Sequence, residues 1–334
     1  MANQGDVRVL PRIGLIVAVV VILALLAAMV VGIGSILSQG GVAASNPFAG
    51  RSLYADPASK AAVAAQAATD AGDTDSAAVF TRIAEVPTAI WLTPEKHPTG
   101  EVGGYVAGVA AAAAKLDQTP VFTVYGVPNR DCGNYSGGGL TAEEYPVWVD
   151  EIASSLEESA AIIVLEPDAL ALADECDNVD ERLAEVGASV DSLAGAGLTV
   201  YIDAGHSNWG PPAEMADLLN RAGVDRARGF STNVSNYNTT EREQQYAESI
   251  SALTNGAHYV IDTGRNGNGS TGEWCNPAGR ALGAEPQVAG SGSAEDATLW
   301  VKPPGESDGT CNGGPAAGEW WDAGARELAA DAGW

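Results

Sequence analysis

Beyond residue 86, short apolar runs rich in β-branched residues alternate with longer helix-like stretches. The runs lie at 87–91 (PTAIW), 120–126 (PVFTVYG), 161–166 (AIIVLE), 198–203 (LTVYID), 228–234 (RGFSTNV), 258–262 (HYVID) and 298–302 (TLWVK). Between them, 101–116, 141–159, 181–196, 211–222 and 240–255 read as helices, as does the alanine-rich stretch 60–85 before the first run. Strands alternating with helices predict a parallel sheet with crossovers. Runs that are apolar throughout predict strands covered on both faces. Seven such units predict an α/β barrel, one not fully closed. A doubly wound open sheet is the rival; its dinucleotide-binding form is weakened because no G-x-G-x-x-G follows the first strands.

The N-terminus has a different pattern. Arg8 and Arg12 precede IGLIVAVVVILALLAAMVVGIGSIL at 13–37, an uncharged run long enough to span a bilayer. It predicts an apolar helix, either a transmembrane anchor behind a basic cytoplasmic segment at 1–12 or a signal peptide cleaved after Val42-Ala43-Ala44. Either way, basic residues ahead of the run place the remainder outside the cytoplasm. Residues 38–45 then form a linker, and 46–334 one folded domain.

Composition narrows the chemistry. Of 334 residues, 46% are hydrophobic, enough for a large core, and the formal net charge is -26. Such a surface repels phosphate backbones, so nucleic acid is not an expected partner, whereas a neutral substrate fits it. The four cysteines, Cys132, Cys176, Cys275 and Cys311, all follow the apolar segment, which predicts two disulfides in an oxidising compartment. Three pairings are open. There is no C-x-x-C, and the three histidines are far apart, so no metal or cofactor is expected.

In a barrel, chemistry gathers at the C-terminal ends of the strands. The first run ends in Trp91, and the second leads to Tyr125, Arg130 and Asp131. The third gives Glu166 and Asp168; the fourth gives Asp203, then His206 and Trp209. Asn233 and Asn236 follow the fifth, Asp262 and Arg265 the sixth with Trp274 beyond, and Lys302, Glu306 and Asp308 the seventh. Carboxylates and tryptophans on one rim suit a sugar: indoles stack on pyranose faces, and paired carboxylates cleave glycosidic bonds. Taken singly, each has a plainer reading. Asp168 or Asp203 could cap a helix, a Trp could be core, and Arg130–Asp131 could be an ion pair. Convergence of nearly every strand on one end favours the site. A serine nucleophile elbow fails because Gly205-His206-Ser207-Asn208-Trp209 lacks its last glycine. DECDNVDE at 174–181 lacks the glycine of a calcium loop and reads as a solvated helix start.

Eight stretches carry a resemblance: NPFAGRSLYADP at 46–57, VYGVPNRDCGNYSGGG at 124–139, VLEPDAL at 164–170, YIDAGHSNWG at 201–210, STNVSNYN at 231–238, IDTGRNG at 261–267, EWCNP at 273–277 and WVKPPGESDGT at 300–310. They resemble glycoside hydrolase family 6, the inverting β-1,4-glucanases. The resemblance implies a distorted seven-stranded parallel α/β barrel at 46–334 and a β-1,4-glucan as substrate. It implies Asp168 as general acid and Asp131 as the companion that raises its pKa. Ser136 would hold the catalytic water, Asp308 would be the base unless protons leave through a chain of waters, and Tyr125 would crowd the distorted sugar. Trp91 and Trp274 would be platforms on the non-reducing side and Trp209 on the leaving-group side. Asp203, His206, Asn233, Arg265, Lys302 and Glu306 would line the cleft. The implied disulfides are Cys132–Cys176 and Cys275–Cys311, each contributing about 3–4 kcal/mol in the chain-entropy model. The short segment between Trp274 and the last run implies an open cleft and internal cutting; a cellobiohydrolase, or a tethered glucan-binding protein with weak turnover, is the alternative. A single secreted or surface-anchored chain is expected, and with no Pro/Thr linker legible, soluble or amorphous glucan is the expected target.

Overall fold

The computed structural model describes Met1 and residues 45–334; the apolar run at 13–37 and the cleavage motif at 42–44 lie outside the described residues. In chain order the elements are β1 (Ser52–Leu53), α1 (Lys60–Ala71), α2 (Thr74–Glu85), β2 (Ile90–Leu92), α3 (Val102–Lys115), β3 (Gln118–Thr119), β4 (Val121–Val124), α4 (Glu144–Leu156), β5 (Ile162–Leu165), α5 (Val179–Gly195), β6 (Thr199–Asp203), α6 (Pro212–Ala222), β7 (Gly229–Thr232), α7 (Thr240–Leu253), β8 (His258–Asp262), β9 (Gln287–Val288), β10 (Glu295–Leu299) and α8 (Asp322–Asp331). Residues 48–334 cluster as one unit. Among the described residues no helix is long and apolar enough to cross a membrane.

The main sheet runs β2-β4-β5-β6-β7-β8-β10-β9, and every neighbouring pair is parallel except β10 with β9. The sheet curls until a single parallel bridge, Thr88 to Trp300, joins its first strand to β10, with Ala89 N–H donating to Trp300 O at 2.9 Å. The α/β class and the parallel-rich sheet are as expected. Among the described residues the sheet has seven parallel strands and an eighth, because the two-residue β9 adds an antiparallel edge too short to leave a hydrophobic pattern.

Alternation along each strand divides the core in two, since successive side chains face opposite ways. Ile162, Val164, Val121 and Tyr201 point into the curl with Phe48, Val260 and Leu299. Ile163, Leu165, Phe122, Val200 and Ile202 point out toward the helices. Helix α4 shows how the outer layer is covered: Tyr145, Trp148, Val149, Ile152, Ala153 and Leu156 recur at helical spacing and are all buried. Trp148 lies so close to the end of β4 that a Cβ at Gly126 would come within 2.7 Å of its ring, which explains the glycine there.

Two boundaries differ from expectation for local reasons. The alanine-rich stretch is two helices, because Gly72 turns left-handed (φ 76°) and Asp73 caps the second by accepting from Ser76 N–H at 3.1 Å. The last strand starts at Glu295 rather than 298. Its polar opening conceals a bulge between Glu295 and Ala297, and buried Asp296 is held there by Arg228 (2.8 Å) and the Tyr201 hydroxyl (2.6 Å).

Candidate active site

A cleft of about 1200 Å³ lies across the C-terminal ends of the strands. Of the residues expected there, Trp91, Tyr125, Asp131, Ser136, Asp168, His206, Trp209, Trp274, Lys302, Glu306 and Asp308 line it. The disulfides Cys132–Cys176 and Cys275–Cys311 brace its two banks, as the resemblance implies.

On one bank the chain leaves β4 through Tyr125 and turns sharply, with Asp131 and Cys132 both left-handed (φ 56° and 47°). Asp131 Oδ2 accepts from the Ser136 hydroxyl at 2.8 Å and from its N–H at 2.9 Å. The Tyr125 hydroxyl sits 3.0 Å from Ser136 Oγ, completing a chain of three polar groups. Arg130 locks this loop from behind: it donates to Ser136 O (2.8 Å) and Tyr125 O (2.8 Å) and pairs with Glu95 (3.1 Å). Glu95 also accepts from Gly139 N–H at 3.1 Å, so it anchors both ends of the glycine-rich segment. It was not anticipated from the sequence; the available signal was a carboxylate three residues past the end of β2.

Asp168 lies at the floor. Glu166 and Asp168 are left-handed (φ 50° and 68°), an uncommon conformation for such residues that turns successive side chains to different destinations. Glu166 turns inward and is fully buried, accepting from the N–H groups of Gly126 (2.9 Å) and Val127 (3.2 Å) and from the Tyr145 hydroxyl (2.8 Å). Asp168 turns toward the cleft. Burial, and then the negative charges of Asp203, Asp131 and Asp308, raise its pKa well above the usual carboxylate range, with Lys302 opposing.

Asp203, Asn233 and Arg265 do not line the cleft; they stand behind its wall. Asp203 accepts from Asp168 N–H and Gly205 N–H, both at 2.9 Å, and from the Ser231 hydroxyl at 3.1 Å, so it supports the Asp168 turn. Asn233 spends its amide on Asn238 O (3.1 Å) and Asp262 O (2.9 Å) and accepts from Asn238 N–H (3.1 Å). Its left-handed φ of 65° is one that asparagine tolerates well. Arg265 grips Asp308 through Nη1 at 2.9 and 3.0 Å. Asp308 Oδ2 accepts in addition from the Tyr237 hydroxyl (2.9 Å) and Asn276 N–H (3.1 Å).

Aromatic and basic groups complete the cleft. Trp91 is held by donation to Val301 O (2.8 Å) and meets the Tyr125 ring edge-on at 5.1 Å. Lys302 lies 5.5 Å over the Trp91 ring; burial lowers its pKa, against the pull of Asp308. Glu306 pairs with Lys60 of α1 at 3.2 Å. His206 packs against Trp209 at 5.0 Å, and its Nδ1 accepts from Asn208 N–H at 3.2 Å. Burial pushes His206 down to about 4, so it is a neutral loop support rather than a proton carrier at ordinary pH.

These groups couple stability to pH. Burial raises Glu166 from 4.5 to about 7 and Asp203 from 3.8 to about 7. Each holds its proton more tightly folded than unfolded, so its contribution is full below about pH 4 and is lost as pH rises to about 7. His206, lowered from 6.5 to about 4, has the opposite sign: its contribution is present above 6.5 and is lost toward pH 4. Two carboxylates outweigh one imidazole. The melting temperature should therefore fall between pH 5.5 and 8, and a melting curve that rises across that window would overturn the upward shifts of Glu166 and Asp203.

Comparison with known proteins agrees with this geometry. The model of the family described as glycosyl hydrolases family 6 matches residues 48–332. Endoglucanase A of Cellulomonas fimi is 46% identical over 285 residues, covering 84% of this chain and 62% of its own length. Endoglucanase A of Thermobispora bispora is 41% identical over 297 residues, covering 85% of this chain and 64% of its own. This chain thus spans a little under two thirds of those relatives. The solved structure of the endoglucanase Cel6 from Mycobacterium tuberculosis, in complex with methyl-cellobiosyl-4-deoxy-4-thio-beta-D-cellobioside, is 49% identical with a TM-score of 0.82, covering 87% of this chain and 100% of that one. A family match over nearly all of the folded region, together with carboxylates and indoles gathered in one cleft, leads to one conclusion: this chain belongs to glycosyl hydrolases family 6.

Proposed function

We propose that residues 46–334 form the catalytic domain of an inverting endoglucanase that hydrolyses internal β-1,4 bonds of a glucan. Its seven parallel strands are read as a distorted barrel closed only by the Thr88–Trp300 bridge. One observation carries the reading: Asp168, its pKa raised, shares a cleft with Asp131, Asp308, Trp91, Trp209 and Trp274. The names of the relatives support endo action and a glucan substrate.

Asp168 delivers its proton to the glycosidic oxygen as the bond breaks, while water attacks the anomeric carbon from the opposite face. Asp131 keeps that proton in place beforehand by its negative charge. Ser136, bonded to Asp131 and Tyr125, holds the attacking water. Asp308 is a poor proton acceptor on present geometry, because Arg265, Tyr237 and Asn276 N–H already occupy its oxygens. That favours release of the water's proton through solvent and Ser136 toward Asp131, with Asp308 fixing charge on the far bank. Trp91 and Trp274 are platforms for the non-reducing part of the chain and Trp209 for the leaving group, with Lys302 and Glu306 binding hydroxyls. Asp203, Asn233 and Arg265 act through the groups they hold. The two disulfides support an extracytoplasmic location, where the protein acts as a monomer, secreted or held at the membrane by 13–37.

The test is hydrolysis of carboxymethylcellulose, following viscosity against reducing ends. Steep viscosity loss per new end is expected, and fresh product should be the α-anomer by NMR. Slow viscosity loss would mean end-wise cutting, and a β-anomer first would exclude inversion.

A further inference from the structure

The geometry points to Tyr135 as a specificity-determining residue that latches the two banks of the cleft together beside the cleavage point. The inference rests on the reading of the cleft as a glucan site. Tyr135 stands in the glycine-rich loop between Asp131 and Ser136. A Cβ built on Gly309 would lie 2.6 Å from both Cβ and Cγ of Tyr135 and 2.8 Å from its Cδ1, so the phenol ring rests directly on the Gly309 backbone. The same ring faces Trp274, with centroids 5.9 Å apart. Gly309 follows Asp308, and Trp274 precedes Cys275. One side chain thus ties the loop carrying Asp131 and Ser136 to both segments of the opposite bank.

Tyr135, Trp274 and Asp308, the residue before Gly309, line the same cleft, so a contact from Tyr135 to Gly309 and Trp274 spans the groove and closes it into a ring. A free chain end can thread a ring, but the interior of a long polymer enters only if the ring opens. Internal cleavage therefore requires Tyr135 to lift from Gly309. The architecture localises that motion. Cys132–Cys176 pins one bank and Cys275–Cys311 the other, each adjacent to the contact. Between the first pin and Gly139, residues 133, 137, 138 and 139 are glycines, three of them at positive φ. Tyr135 and Trp274 are 49% and 47% exposed, so the contact that must break is a half-solvated one. Any side chain at 309 would hold Tyr135 off, which gives a reason for glycine beside Asp308. The latch sets how often the enzyme takes internal bonds rather than ends.

The experiment compares wild type, Tyr135→Ala and Tyr135→Phe on cellotetraose, which has only ends to offer, and on carboxymethylcellulose. Tyr135→Ala should raise the ratio of the polymer rate to the tetraose rate about two- to tenfold, the equilibrium value of one aromatic contact. Tyr135→Phe should keep the wild-type ratio, because the ring and not the hydroxyl makes the contact. An unchanged ratio in Tyr135→Ala, or an equal fall on both substrates, overturns the latch: the residue then serves sugar stacking or the placement of Ser136. Electrophoretic retardation in gels containing carboxymethylcellulose reads the same gate without turnover, and Tyr135→Ala should be retarded more than wild type. Should wild type hydrolyse neither substrate, the functional reading fails. The latch is then decided by retardation alone, and equal mobility of wild type and Tyr135→Ala sinks it.

Discussion

Replacing Asp168 by Asn should cut hydrolysis of a β-1,4-glucan by at least about 100-fold, the size of a general-acid contribution, while leaving affinity for oligosaccharides near that of wild type. Asn matches the carboxyl group in shape, so the left-handed turn and its bond from Asp168 N–H to Asp203 survive. What disappears is the transferable proton. A glucosyl leaving group is a poor one unless its oxygen is protonated as the bond lengthens, so the loss should fall on kcat and little on KM. The electrostatic surroundings add a second signature. Burial, Asp203, Asp131 and Asp308 each hold the proton on Asp168, so its raised pKa should set the alkaline limb of the pH–rate profile above the usual carboxylate range. Asp131→Asn removes one of those charges and should move that limb to lower pH. Retention of most activity in Asp168→Asn, or an alkaline limb indifferent to Asp131, would remove Asp168 from the acid role.

The largest stability effect should come from a carboxylate that never meets the cleft. Asp262, at the end of β8, is almost wholly buried, and its two oxygens accept from four backbone N–H groups. Gly264 (2.9 Å) and Val301 (3.2 Å) donate to Oδ1; Ser235 (3.1 Å) and Lys302 (2.9 Å) donate to Oδ2. The donors belong to loops following β7, β8 and β10, so one side chain ties together the loops that deliver Lys302 and Asp308 to the cleft. Asp262→Ala leaves four buried donors without an acceptor, at about 1–3 kcal/mol each before relaxation. A net loss of about 4 kcal/mol is expected, which in a unit of this size lowers the melting temperature by roughly 6–10 °C. Asp262→Asn keeps one acceptor but turns an N–H toward other N–H groups, so it should destabilise nearly as much. An unchanged melting temperature in both variants would show that solvent or backbone shifts satisfy those loops instead.

Much of this architecture was legible beforehand because its signals are local. Ile162 to Leu165, apolar throughout and rich in β-branched residues, reads as a doubly covered strand, and Trp148 with Ile152 and Leu156 marks a helix face, since burial imposes a pattern along the chain itself. The strand-end logic likewise brought Asp131, Asp168 and Asp308 to one rim. Illegible were features with no period. The two-residue β9 is too short to have one, and the start of β10 was hidden because Asp296 is a charge whose burial is satisfied by Arg228 and the Tyr201 hydroxyl, both far away in sequence.

The residues with chemical capacity, the side of the sheet on which they emerge and the family to which they belong were thus determined by sequence alone, because strand periodicity and motif order are one-dimensional properties. Which of those residues face the cleft was decided only by tertiary structure. Asp168 and Asp203 look alike as carboxylates after strands, yet one opens to the cleft and the other holds it from behind. Asn233 and Arg265 turn away, while Glu95 and Tyr135, unremarked in the chain, hold the bank in place. The reason is that a buried polar group must find its partner in space, and neither that partner nor the backbone turn that aims the side chain is written in any neighbouring residue.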